Sequence, residues 1–236
     1  MSRNEIRRIT CPQCGAESDF VVWSSVNTGM DPAQKEKVLD RSLFQFTCPE
    51  CGEVATVDHS FLYHDVEQRL MLYMVKEEET FREAVDFFTS DLQVEEKDPE
   101  KALLARALND AQKEYVQRII FNINQLEEKI RVFDAGRDDR VIELLKVFFQ
   151  NRIMSEQPQL GDVELYYADD EGKDVFVVIG MEGPLGSLEI PEELYQETVD
   201  NFGGQMADLR GRQDLIVDEK WAMEVIKAVS VPGNRS

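Results

Sequence analysis

The sequence predicts an α+β fold, and the residue types in three successive segments support this prediction. Short runs of β-branched and aromatic residues recur in residues 1–78, as in strands. In residues 79–157, apolar residues return every three or four positions, which is the spacing of a helix face. Residues 158–236 contain both patterns. We therefore expect an N-terminal β domain, a central helical segment and a small C-terminal α+β appendage.

The first segment contains four runs that predict strands. A short helix, residues 34–39, should follow Asp31 and Pro32, since aspartate caps helices and proline fits their first turn. Residues 61–68 contain several polar groups and are predicted to form a turn. The predicted strands are residues 19–26, 43–46, 54–57 and 70–75.

The middle segment is predicted to be helical. Residues 80–83 match a capping box, which marks the start of a helix. A long helix is expected over residues 98–133, because its apolar residues, Ile119 among them, share one helix face. Gly136 should end this helix, and another is expected to begin at Asp138.

The last segment begins with two strand-like runs around an acidic turn at residues 169–174, which predicts a hairpin. A third strand is expected near residues 188–190, followed by a helix that ends at Gly203 and Gly204. Asp218 should cap a final helix. The strands of the predicted hairpin are residues 163–167 and 175–179.

Acidic residues greatly outnumber basic ones. The chain has 47 Asp and Glu against 26 Lys and Arg, a formal net charge of −21, and residues 158–236 contribute −11 of it (6 basic, 17 acidic). Because this charge repels phosphate groups, we expect neither direct nucleic-acid binding nor membrane binding. A protein partner of basic character is expected instead, and a homo-oligomer stays open. A cytoplasmic location is expected, because no apolar run approaches the ~18 residues of a membrane span and the N-terminus lacks a signal-like stretch.

The four cysteines lie in two copies of nearly the same hexapeptide, TCPQCG and TCPECG. Two residues between cysteines let both thiolates face one ion, while the proline fixes the turn and the glycine accepts a positive φ. In a reducing compartment, two such pairs predict a Cys₄ metal site rather than disulfides. The predicted metal ligands are Cys11, Cys14, Cys48 and Cys51.

The identity of the metal has alternatives. Zn²⁺ is the expected ion, in a closed tetrahedral site of structural type. Iron in a rubredoxin-like site is the alternative, because the same knuckles also hold a single iron ion. A redox-active CxxC pair is a third interpretation, but that chemistry needs only one pair.

Outside the cysteines, His64 and Asp65 form the most enzyme-like pair, because a carboxylate can orient a histidine as a general base. Adjacent residues of a strand point to opposite faces, so a structural role in a polar turn is favoured. His59 is interpreted as structural. Residues 137–140 predict a capped turn with exposed ion pairs rather than a ligand clamp, and residues 169–174 lack the spacing of a calcium loop.

The knuckles, together with three further motifs, resemble the CpXC family of bacterial and archaeal proteins. The motifs are residues 22–27 (VWSSVN), 35–40 (KEKVLD) and 62–65 (LYHD), with Val26 at a position where isoleucine is common in the family. The resemblance is clear over the first third of the chain and looser over the second. It implies zinc binding and brings no established reaction with it.

These observations predict a zinc-stabilised, non-catalytic protein-interaction module. Two alternatives stay open. The first is a zinc ribbon associated with nucleic acid or the transcription machinery, for which Arg3, Arg7 and Arg8 supply a small basic patch beside the first knuckle. The second is a hydrolase-like enzyme centred on His64.

Overall fold

The α+β fold is confirmed in a computed structural model that describes residues 2–90, 113–208 and 214–230. The chain divides into two compact units, Met1–Glu127 and Glu128–Ser236. This boundary differs from those of the three segments expected from the sequence. Within the described residues, no helix is both long and apolar enough to span a membrane.

A five-stranded sheet forms the centre of the first unit, in the order β1-β2-β5-β6-β7. The pairs β1–β2 and β5–β6 are antiparallel, and the pairs β2–β5 and β6–β7 are parallel. A separate ribbon consists of strands β3 and β4. The strands are β1 (Arg3–Thr10), β2 (Glu17–Asn27), β3 (Gln45–Thr47), β4 (Val54–Thr56), β5 (Phe61–Asp65), β6 (Leu70–Met74) and β7 (Val116–Ile120).

Short helices complete the first unit. Helix α1 (Ala33–Leu39) follows Pro32, and a single 3₁₀ turn (Ser42–Phe44) leads into β3. Helix α2 (Glu78–Thr89) begins at a capping box in which Glu77 and Thr80 bond each other's backbone N–H groups, three residues before the box expected at residues 80–83. The boundary between the two units falls inside helix α3 (Ile123–Asp134).

Two strands of this sheet differ from the prediction. Residues 61–65 form β5 rather than a turn. These residues alternate between buried and half-buried positions, as in a strand, and Phe61 and Tyr63 are fully buried. Strand β1 was not predicted, since seven of its eight residues are exposed and it lacks the apolar alternation of a half-buried strand. Its pairing with β2 defines it instead.

The expected long helix over residues 98–133 is wrong at residues 116–120. These residues form β7, which pairs in parallel with β6 and buries Ile119 and Ile120. Val116, Ile119 and Ile120 are β-branched and fit both a helix face and a buried strand, so periodicity alone cannot separate the two. The start of the predicted helix lies outside the described residues.

The second unit packs three helices and the end of α3 with a three-stranded antiparallel sheet in the order β10-β9-β8. Its core includes Leu144, Phe176 and Ala222, each fully buried. The elements are α4 (Asp139–Glu156), β8 (Glu164–Asp170), β9 (Lys173–Gly180), β10 (Gly183–Glu189), α5 (Glu192–Asp208) and α6 (Glu219–Ser230), with a 3₁₀ turn at Pro158–Leu160.

Helix α5 does not end at Gly203 and Gly204, as the sequence predicts, but continues to Asp208. Both glycines take helical conformations, although a glycine inside a helix costs about 1 kcal/mol relative to alanine. The continuation buries Met206 in the core of the second unit. Tertiary packing therefore outweighs the local preference for a helix end.

Five buried charged side chains join α3 to α4 within the second unit. The Lys129 ammonium lies 2.9 Å from Asp139 and 3.1 Å from Glu143. The Lys146 ammonium lies 2.7 Å from Glu128 and 3.3 Å from Glu143. Burial raises the pKa of Glu128, although the nearby Lys146 opposes this effect. Two ammonium groups thus compensate the negative charge of three buried carboxylates.

We expect Lys129→Met to lower the free energy of unfolding of the second unit by about 3–5 kcal/mol, because Asp139 and Glu143 would stay buried without their shared cation. Lys173→Met is the matched control, since the Lys173–Glu189 pair is exposed and such pairs contribute at most about 1 kcal/mol. Denaturant unfolding of both variants checks this. Equal midpoints for the two variants would contradict the prediction.

Candidate metal centre

Each cysteine pair lies in the loop that joins two antiparallel strands. The first pair, in residues 11–16, connects β1 to β2, and the second, in residues 48–53, connects β3 to β4. Each hairpin fixes the ends of its loop by strand pairing, from Thr10 to Glu17 and from Thr47 to Val54. The two ribbons therefore present their cysteine loops as preformed knuckles.

The backbone of the two knuckles is nearly identical. In the first, the N–H of Cys11 donates to the carbonyl of Ala16 (2.8 Å), and the N–H of Gly15 donates to the carbonyl of Cys11 (3.0 Å). The second repeats both hydrogen bonds, at 2.8 and 2.9 Å. Gly15 and Gly52 have φ values of 74° and 76°, which residues with a side chain rarely adopt. The glycine after each second cysteine therefore closes the turn.

The four sulfur atoms converge on one point. The Cys11 and Cys51 sulfurs lie 3.6 Å apart, those of Cys14 and Cys48 lie 3.7 Å apart, and all four lie within 4.8 Å of one another. A tetrahedral ion with metal–sulfur bonds of about 2.3 Å requires sulfur separations of about 3.8 Å. The cluster therefore has the size of a four-sulfur metal site, and none of its cysteines forms a disulfide.

One side of the cluster packs on apolar residues, and the other faces solvent. Cys11 and Cys48 are buried, at 2% and 1% exposure, whereas Cys14 and Cys51 are exposed. Phe46 packs beside the buried cysteines, and its ring meets that of Phe20 edge to face at 5.9 Å. The first cysteine of each pair thus belongs to a small hydrophobic core that orients its knuckle.

The close approach of four thiols separates their pKa values. The backbone N–H of Cys14 is the main cause that lowers the pKa of Cys11 to about 7. The backbone N–H of Glu53 acts in the same direction on Cys51, but the thiols of Cys14, Cys11 and Cys48, together with partial desolvation, outweigh it and raise the pKa of Cys51 to about 12. Four thiolates this close repel one another unless a cation lies between them.

The donor set fits a soft or borderline metal ion. Four thiolate sulfurs at tetrahedral separations suit Zn²⁺ and also a single iron ion, whereas Mg²⁺ and Ca²⁺ require oxygen donors. Four protein ligands complete a tetrahedron and leave no position for water or substrate. Four cysteines around one point are the ligand number of structural metal sites.

His64 and Asp65 occupy successive positions of β5 and point to opposite faces of the sheet. The His64 ring lies 2.9 Å from the amide nitrogen of Asn27, through Nδ1, and meets the Tyr115 ring edge to face at 5.1 Å. Burial is the main cause that lowers the pKa of His64. The residue that contacts the His64 ring is thus Asn27 on the neighbouring strand, the last residue of the VWSSVN motif, whose role the sequence did not indicate.

Asp65 is a buried acceptor for five hydrogen-bond donors. It accepts from the Lys35 ammonium (3.1 Å), the Tyr63 hydroxyl (2.9 Å) and the Thr28 hydroxyl (3.2 Å). The backbone N–H groups of residues 67–68 add two bonds of 3.2 Å. Burial raises the pKa of Asp65, but these donors outweigh it and leave the pKa below its usual value. The carboxylate therefore holds the β5–β6 turn against the segments after β2.

His59 also contacts backbone. Its Nδ1 lies 2.9 Å from the carbonyl oxygen of Val57 and its Nε2 lies 2.8 Å from that of Trp23. The ring thus connects the end of the β3–β4 ribbon to strand β2. The interpretation of His59 as structural agrees with these contacts.

The turn at residues 137–140 is capped as predicted, since the Asp138 carboxylate accepts the N–H of Arg140 at 2.9 Å. Its charges are less exposed than expected, because Asp139 is 1% exposed and pairs with Lys129. Residues 169–174 form the predicted hairpin turn between β8 and β9. Among the described residues, the four cysteines are the group that could hold a metal ion.

The CpXC family model, described as "CpXC protein", matches residues 9–146. This match spans 138 of the 236 residues (146 − 9 + 1), includes both knuckles and ends inside α4. Comparison with curated proteins and with solved structures gives no match. Because the family match covers more than half of its length and contains the four-sulfur cluster, the chain belongs to the CpXC family.

Proposed function

We propose that the four cysteines bind one Zn²⁺ ion and that the protein is a zinc-stabilised, non-catalytic interaction module that acts in the cytoplasm. The observation that carries this proposal is the closed set of four sulfurs at tetrahedral separations. A site with no vacant position stabilises a fold but does not activate water. The metal would therefore stabilise the fold and take no part in a reaction.

Zinc would act as a cross-link between the two ribbons of the first unit. The β3–β4 ribbon alone is small, because its strands have only three residues each. A two-stranded hairpin of this size is marginally stable in water without further support. Coordination would close the chain between Cys14 and Cys48 and contribute on the order of 10 kcal/mol to folding.

The charge distribution supports a basic protein partner. Residues 158–236 carry a net charge of −11, more than half of the −21 of the whole chain. Such a field accelerates association with a basic surface and disfavours nucleic acid. Two arginines of the expected basic patch already form ion pairs, Arg7 with Glu5 and Arg8 with Glu17. The patch therefore offers less positive charge to a nucleic acid than the sequence suggests.

We expect protein purified without added metal to contain one equivalent of zinc per chain. A site of four thiolates favours Zn²⁺ over iron at the metal-ion concentrations of a reducing cell. Elemental analysis by mass spectrometry checks the metal, and a visible absorption spectrum tests for iron. A red iron–thiolate chromophore, or a zinc content near zero, would overturn the zinc assignment.

We expect Cys48→Ser to abolish stoichiometric zinc binding and to unfold the β1–β4 region. The remaining three thiolates no longer complete the tetrahedron, so the contribution of the metal is lost. Helices α4 to α6 belong to the second unit and should keep their circular dichroism signal. Ser24→Ala, an exposed change on β2, is the control and should bind zinc normally. A variant that melts like the parent and retains zinc would refute the scaffold role.

The interaction role predicts a salt-sensitive partner that depends on the acidic surface of the second unit. Three exposed carboxylates, Glu182, Glu193 and Glu197, are suitable for neutralisation to glutamine. We expect this triple variant to recover at least about tenfold less of a partner that the tagged parent chain captures from native cells, because the loss of acidic charge weakens its attraction to a basic surface. Quantitative proteomics of matched captures gives the measurement.

The control for this experiment removes the same charge from the first unit. Glu36, Glu67 and Glu79 are exposed, and their conversion to glutamine should leave the captured partner unchanged. Equal loss in both triple variants would indicate non-specific charge attraction. Capture of the same proteins by all three chains at high salt would contradict a partner that is recognised through the acidic appendage.

A further inference from the structure

Strand β1 is an open edge of the five-stranded sheet. It pairs with β2 on one side, and no described residue pairs with its outer side. It is eight residues long, and Ile6 at its middle is 71% exposed. The opposite edge of the sheet, β7, is shorter and mostly buried. A long edge with unpaired N–H and C=O groups is a template for another strand.

The charges along β1 are arranged so that the strand complements itself. Its sequence is RNEIRRIT, in which Glu5 and Arg7 lie on either side of Ile6. We propose that β1 pairs antiparallel with β1 of a second copy of this chain, with Ile6 opposite Ile6 at the twofold axis. In this register Glu5 of each copy lies opposite Arg7 of the other, Asn4 lies opposite Arg8, and Arg3 lies opposite Ile9.

The charges select this register over its neighbours. When two copies of one strand pair antiparallel about a twofold axis, the residue at the axis lies opposite the same residue of the other copy. Each possible register is therefore defined by its central residue. A pair centred on Glu5 opposes two glutamates and places Arg3 opposite Arg7. Pairs centred on Arg7 or Arg8 oppose two arginines. Like charges directly opposite destabilise a sheet, and opposite charges stabilise it.

Apolar contacts fall at the centre of the same register. Ile6 lies opposite Val21 of its own β2, and Val21 is itself 44% exposed. Pairing through β1 would therefore align Val21 and Ile6 of one copy with Ile6 and Val21 of the other in a row across four strands. Cross-strand neighbours on one face contact each other at about 5 Å, so the row shields its own members from water.

Net charge works against this contact at two levels. Each chain has a net charge of −21, which opposes self-association in general. Strand β1 has three arginines and one glutamate, a net charge of +2, and in the proposed pair it meets its own copy. The two Glu5–Arg7 contacts of the proposed register therefore have to offset this repulsion, which makes the association depend on them. The inference is independent of the proposed interaction with a basic partner.

The test uses the full chain with its zinc content verified. Sedimentation velocity of the parent should show a concentration-dependent species of twice the 27.2 kDa chain mass. Arg7→Glu opposes glutamate to glutamate at both charged contacts, and Glu5→Arg opposes arginine to arginine. We expect each variant to dimerise at least about tenfold more weakly than the parent. Mixing the two variants should restore a 1:1 dimer, because every charged contact is then complementary.

The control variant is Arg82→Glu, which makes the same change in charge on the exposed surface of α2. It should dimerise as the parent does. A parent that stays monomeric at every concentration would overturn the proposal. So would Arg7→Glu and Glu5→Arg variants that dimerise normally, or a mixture of the two that stays monomeric. Unchanged circular dichroism and zinc content exclude unfolding as the cause of lost association.

Discussion

The convergence of four sulfur atoms is the constraint on which the first unit depends. Each knuckle is built by its own hairpin, and the two hairpins meet at Cys11, Cys14, Cys48 and Cys51. The β3–β4 ribbon is too short to be stable alone. Its contacts with the rest of the unit include this cluster, the small core around Phe46, and the His59 contact to β2.

The motifs that accompany the knuckles belong to one hydrogen-bonded network. Asn27 ends β2 and contacts His64 on β5, while Asp65 next to it gathers donors from α1 and from both adjoining loops. Asp65 points to the opposite face from His64 and is saturated by five donors, so it does not orient His64 as a general base. His64 and Asp65, the most enzyme-like pair in the sequence, thus connect strands and loops by hydrogen bonds. This arrangement agrees with a non-catalytic scaffold.

The second unit is held together differently, by a hydrophobic core that encloses five charged side chains. The family match ends at residue 146, within α4, so the last matched residues lie at the centre of this unit. Lys129 and Lys146 compensate three carboxylates there, and removing either ammonium leaves one buried ammonium to compensate three buried carboxylates. The acidic surface of residues 158–236 is thus displayed by a unit whose interior is fixed by paired charges.

The sequence by itself predicted the cluster of four cysteines, the β3–β4 hairpin around the second pair, the hairpin at residues 169–174 and most helix starts, because these depend on local spacing, turns and caps. Only the tertiary structure decided that residues 61–65 and 116–120 are strands, that α5 continues past two glycines, and that His64 contacts Asn27. Each of these depends on contacts between residues far apart in the chain. Strand β1 shows the reason most plainly: its charged residues carry no apolar alternation, and pairing with β2 alone makes it a strand.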